Sequence, residues 1–167
     1  MTSSEIDIFN DSLSRCVADP RFMERFYDLF LASSAEVREK FKNTDLHKQR
    51  RVLKASLYMV MLAIDGNGGG LAHLDRIARR HGEGELRIGP HLYDLWLEAL
   101  IRSTRETDPR FDGEIERVWR QTMGFGIDYI KRRYTAPGGS LPNGPGPGDH
   151  DTGHGRPDTH PEGTGGA

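Results

Sequence analysis

His81 closes the stretch LDRIARRH, in which Leu74, Ile77 and Ala78 make the apolar side of an amphipathic helix. The histidine continues that side and stands one residue before Gly82. Two chemistries fit. A polar or cationic residue in a last turn can end a helix by reaching its free carbonyls. Alternatively, a neutral imidazole facing an apolar cavity can bind a metal through one ring nitrogen, while the other nitrogen needs a partner that fixes the ring.

Other residues able to do chemistry are fewer than the composition suggests. Gln49 lies in the basic run HKQRR, where an exposed helix position explains it as well as a pocket does. His47 precedes it by two residues, about 200° round a helix, so the two face different ways and His47 is expected in solvent. Cys16 is the only cysteine, which excludes an internal disulfide and fits a reducing compartment. Its spacing places it on the buried side of a first helix, where a thiol packs as a small apolar group. GDHDTGHGRPDTH carries three histidines and three aspartates that could chelate a divalent ion loosely. Without fixed geometry it reads as a solubilising or linking tail.

The elements that must position these residues read as helices throughout. Ser3 or Ser4 can cap a first helix with Ile6, Phe9, Leu13, Cys16 and Val17 on one side. Pro20 suits the start of a second, through Phe22, Phe26, Leu29 and Phe30. Ser34 caps a short third helix that ends near Phe41, and Thr44 or Asp45 caps a long fourth from about residue 46 to 64. That helix is apolar nearly all round in its second half, which predicts burial on most sides. A fifth runs from about residue 71 to 81, and GEGELRIGP is a loop. Pro90 then starts a sixth through Leu95, Leu97, Leu100 and Ile101. The last, from about residue 114 to 134, carries Ile115, Val118, Trp119, Met123, Ile127 and Ile130. Seven or eight unequal helices without alternating segments make an all-α domain rather than a simple bundle.

Composition sets the outer limits. Residues 135–167 hold ten of the twenty glycines and six of the nine prolines, with Leu141 the only large apolar side chain. Such a segment cannot offset its ordering entropy and is expected to be a disordered tail behind a domain of residues 1–134. The tail has four acids and one base, so the domain stands near +1 against −2 for the chain. That balance gives no electrostatic footprint for nucleic acid or an anionic membrane. The opening MTSSEIDIFNDSLSRC is polar and periodic, unlike a signal peptide, and SLYMVMLAI is too short to span a bilayer. A cytoplasmic protein is the expectation.

FYDLFLASSAEVREKF, QRRVLKASL, LDRIARRH and PHLYDLWLEALI, in that order and spacing, resemble the globins. The likeness is to bacterial single-domain globins and to the globin domain of flavohemoglobins, and it covers about residues 6–134. It implies the globin fold, a three-on-three helical sandwich, with haem b (iron protoporphyrin IX) as cofactor. It places His81 as the axial ligand to the iron, the one metal ligand, with Ile77 supporting the porphyrin one turn earlier. Phe41 matches the phenylalanine that packs on the haem face. Gln49, 32 residues before His81, matches the distal position, and Leu53 continues that face, as would Leu57. Tyr27 matches a distal tyrosine; a phenol and an amide can both donate hydrogen bonds to a bound gas. Tyr93 and Trp96 fall on or near the proximal side.

One departure stands out. In flavohemoglobins a tyrosine like Tyr93 pairs with a last-helix glutamate, and together they polarise the proximal histidine. The matching position here falls near Tyr134, and no glutamate occurs between Glu116 and the tail. Asp128 is the other carboxylate of that helix. The resemblance therefore implies reversible binding of dioxygen or nitric oxide in the first place. Nitric oxide dioxygenation with a separate reductase, or gas sensing, are the alternatives, in a monomer or homodimer.

Overall fold

A computed structural model describes residues 1–81 and 88–134. Those residues form α1 (Ser3–Ala18), α2 (Arg21–Ser33), α3 (Ala35–Phe41), α4 (Leu46–Ile64), α5 (Gly68–His81), α6 (Pro90–Thr107) and α7 (Gly113–Tyr134), with no strand among them. The tail expected to be disordered and most of the loop after His81 lie outside the described residues.

The helix starts follow from side chains that satisfy free backbone donors. Thr2, not Ser3 or Ser4, caps α1: its hydroxyl accepts from the Glu5 amide at 3.2 Å, and the Glu5 carboxylate accepts from the Thr2 amide at 2.8 Å. The spacing T-S-S-E satisfies two donors at once. Ser34 caps α3 and Asp45 caps α4, each accepting at 3.1 Å from the amide three residues on. α5 begins three residues earlier than its apolar periodicity predicts. The Asn67 side chain accepts from the amides of Gly69 at 2.9 Å and Gly70 at 3.4 Å, and so holds a glycine run in helical form despite its low propensity. Gly66, at φ 73°, makes the left-handed turn between α4 and α5.

The helices pack in two layers of three, α1, α4 and α5 against α2, α6 and α7, with α3 joining α2 to α4. Their shared core runs from Phe9, Leu13 and Trp119 at one end through Phe22 and Phe26 to Leu57 and Leu74. α4 departs from expectation. Val52, Tyr58 and Leu62 are 43%, 41% and 41% exposed, so the helix is not buried on most sides. Its neighbours α2, α5 and α7 cover one side only.

One polar cluster is buried in this core. Asp108, which ends α6, has a side chain with no exposed surface. Its carboxylate accepts from Arg15 Nε at 2.7 Å and Nη2 at 2.9 Å, from the Ser12 hydroxyl at 2.6 Å and from the Arg110 amide at 3.0 Å. Ser12 in turn accepts from Trp119 Nε1 at 2.8 Å, so α1, α6 and α7 meet on one carboxylate. Burial opposes its ionisation, but the Arg15, Ser12 and Arg110 donors outweigh that and hold its pKa below the usual carboxylate range. Cys16 lies next to this cluster, and burial pushes its thiol pKa from 9.0 up to about 11.

Asp108→Asn should leave Arg15 without its counter-ion and cost roughly 2–4 kcal/mol; an unchanged denaturant midpoint would show that the cluster adds nothing to stability. The Cys16 thiol should resist thiol reagents at pH 8 in the native protein and react on unfolding. A thiol that ionises later in the folded state than in the unfolded one makes folding less favourable as pH rises from 9 towards 11. Cys16→Ala should flatten that part of the stability–pH curve, and a curve identical to that of the natural chain would place the alkaline sensitivity elsewhere.

Candidate functional site

His81 is the last residue of α5 and Tyr93 lies in the first turns of α6. Two local features bring them together. The Ile88 amide donates to the His81 carbonyl at 3.0 Å, so the chain returns to its departure point after residues 82–87. Gly89 and Pro90 then start α6, with Pro90 in the first turn where a missing N–H costs nothing. Tyr93, one turn in, is buried. Its hydroxyl lies 3.1 Å from His81 Nδ1, and the rings are 6.1 Å apart between centroids.

Burial lowers the His81 pKa from 6.5 to about 4, and the neighbouring charge of Arg80 acts in the same direction. The imidazole is therefore neutral at neutral pH. When Nδ1 donates to the phenol oxygen, Nε2 keeps its lone pair and can act as a ligand. Among the described residues, no three His, Cys, Asp or Glu side chains come together as a metal centre. A metal at His81 would have to take its other donors from a non-protein group.

The second set of residues comes from α2, α3 and α4. Tyr27 is buried, and its hydroxyl donates to the main-chain carbonyl of Gln49 at 3.4 Å, a long bond. Burial pushes its phenol pKa well above the usual range. Phe41 lies 6.2 Å from the Tyr27 ring and 5.7 Å from Phe30. Leu53 and Leu57 are buried, Gln49 and Ile77 are half-buried, and His47 is exposed as expected. Trp96 is half-buried and packs edge-on against Phe26 at 5.8 Å, so its ring joins the aromatic cluster of α2.

Some neighbours gave no signal in the sequence. Arg50 follows Gln49 and donates from Nη1 to Glu24 at 3.0 Å, while its buried Nε has no hydrogen-bond partner among the described residues. Glu24 stands three residues before Tyr27 on α2, so the pair bridges α2 and α4 beside the phenol. The Lys131 ammonium lies 6.0 Å from the centre of the Tyr93 ring and donates to Asp94 at 3.1 Å. Asp128 is exposed.

Ser56 and His73 resemble a nucleophile and its base, with Oγ and Nε2 3.1 Å apart. Arg76 lies 3.2 Å from His73 Nδ1 and can only donate, so that nitrogen is an acceptor and the proton sits on Nε2. His73 then donates to the serine, the reverse of what activation requires.

The chain is 36% identical to a Pseudomonas aeruginosa PAO1 protein whose crystal structure is described as structurally highly homologous to a human hemoglobin, with a TM-score of 0.75 over 79% of this chain and 99% of that one. The chain belongs to the globins. No protein-family model and no curated protein matches it. The two-layer packing of this globin is thus the three-on-three sandwich expected from its sequence, and no helix among the described residues is long and apolar enough to cross a membrane.

Proposed function

We propose that this globin holds haem b through His81 and reversibly binds a diatomic gas, dioxygen or nitric oxide, on the side of Tyr27 and Gln49. The observation that carries the proposal is the pairing of a neutral, half-buried His81 with the buried Tyr93 hydroxyl at 3.1 Å. A histidine that merely ended a helix would need no buried partner on its ring. The haem, when bound, supplies the iron and with it the affinity for gases.

The protein's own residues do the rest. Nδ1 of His81 donates to Tyr93, which fixes the ring and leaves Nε2 as ligand. Phe41, Leu53 and Ile77 supply apolar surface, and Trp96 acts through the aromatic cluster behind them. Tyr27 holds its proton through the alkaline range, so its hydroxyl is a donor at any working pH. Its bond to Gln49 is long enough to be exchanged for one to an entering ligand. The half-buried Gln49 side chain offers an amide from the same region.

Ligand binding is favoured over oxygen-bond cleavage by what surrounds Tyr93. A carboxylate there would draw the phenol's proton and make the imidazole a stronger electron donor. The Lys131 ammonium, a cation paired with Asp94, lies over the ring. Positive charge near the phenol makes its oxygen a poorer acceptor and leaves His81 a more ordinary imidazole.

His81→Ala should abolish stable haem uptake, read as loss of the Soret band after reconstitution with haemin and gel filtration; full uptake would move the axial ligand elsewhere. Tyr27→Phe should retain haem but release dioxygen roughly tenfold faster, as loss of one hydrogen bond of about 1–3 kcal/mol predicts. An unchanged rate in stopped flow would place the hydroxyl outside the pocket.

A further inference from the structure

α4 carries two apolar surfaces, and among the described residues only one of them is covered. Gln49, Leu53, Leu57 and Val60 face the layers described above. Val52, Ala55, Met59 and Leu62 form a second stripe, roughly 130° round the helix from the first. Val52, Ala55 and Leu62 are exposed and Met59 is half-buried. Their spacing of three, four and three residues is that of a coiled-coil seam rather than the broader face of a helix against a core. Arg51, Tyr58 and Asp65 flank the stripe on one side, seven residues apart, and all three are exposed. Neither Arg51 nor Asp65 forms an ion pair within the chain among the described residues.

We propose that this stripe is an interface between two copies of the chain, with the two α4 helices antiparallel about a two-fold axis. The charges select that arrangement. Arg51 and Asp65 stand at equal distances on either side of Tyr58. A two-fold axis beside Tyr58 places Arg51 against Asp65 of the partner subunit, twice, and Tyr58 against its own copy. A parallel pair would set arginine on arginine and aspartate on aspartate. The apolar layers fall within one residue of the same register. Antiparallel seams pair the first position of one helix with the fourth of the other. Val52 then meets Leu62 of the partner subunit, and Ala55 meets Met59 of the partner subunit. This register centres on Leu57, one residue from Tyr58, so Arg51 and Asp65 of the partner subunit stand about 3 Å out of level, within reach of an arginine side chain.

The chain's own remaining segment does not suit the stripe. Residues 135–167 contain one large apolar residue, Leu141, and cannot supply a matching three-turn face. The stripe from Val52 to Leu62 is about 15 Å long, so the dimer is short-seamed and depends on concentration. It lies on another side of α4 from Gln49, Leu53 and Leu57, and the proposal stands independently of what the globin binds.

Sedimentation velocity on the full chain, from about 1 μM to about 1 mM and with and without haem, tests it. The natural chain should shift from monomer to dimer across that range. Leu62→Glu should raise the dissociation constant roughly 100-fold with an unchanged helical circular dichroism spectrum. Arg51→Glu and Asp65→Arg should each weaken the dimer roughly 3–10-fold, and the double variant should recover the natural value within about twofold. A monomer at every concentration, or a dimer indifferent to Leu62→Glu, overturns the interface. Failure of the double variant to recover overturns the antiparallel register.

Discussion

A carboxylate with no exposed surface holds this globin's non-pocket end together. Asp108 sits where α6 stops, and the donors that keep it ionised come from α1 and from the turn that leads into α7. Such a group is stable in a core only while every lone pair is matched, so its position tolerates little movement. Trp119, bonded to the same Ser12, ties the long last helix to the same point. The helices that carry Tyr93 and Lys131 are therefore fixed at one end before they reach the site. The proposed site lies at their other ends, where the Ile88 amide donates to the His81 carbonyl.

His81 and Tyr93 divide a task that neither could perform alone. Burial alone removes the proton that would block ligation, but an unpartnered neutral imidazole would be free to turn and to change tautomer. The phenol supplies the orientation without supplying charge. Lys131 above the ring adds charge of the sign opposite to that found in relatives with a glutamate. In the proposed role of His81, one residue of the last helix thus tunes the electronic character of its ligating nitrogen.

Much of this was legible in the sequence because it rests on local rules. Helical periodicity located all seven helices, and the capping side chains Ser34 and Asp45 marked two of their starts. Four motifs in register identified the fold and singled out His81 and Tyr93, which the structure places within a hydrogen bond of each other. Tyr27, Gln49 and Phe41 also come together, although the Tyr27 hydroxyl meets the main chain of Gln49 rather than its side chain. What was not legible depends on contacts between distant segments. Arg15 and Asp108 are 93 residues apart and sit in unremarkable surroundings. Whether an apolar position on α4 is covered depends on where α5 and α7 pass, so Val52 and Leu62 look like core residues until the layers are assembled. The glycines before Leu71 looked like coil because their cap, Asn67, acts through geometry rather than propensity.

Gly70 sets the contact between α4 and α5. A β-carbon there would stand 2.3 Å from the Ala63 main-chain nitrogen, so α5 rests directly on the backbone of α4 at this point. His81 lies eleven residues further along α5, about 16 Å down the axis, and Gln49 lies fourteen residues back along α4, about 21 Å away. Both arms are rigid and long compared with the gap at their contact. A change in the angle at which the helices cross there would therefore grow along both arms before it reaches His81 or Gln49. A position without a β-carbon thus fixes how closely the helices that carry Gln49 and His81 approach each other.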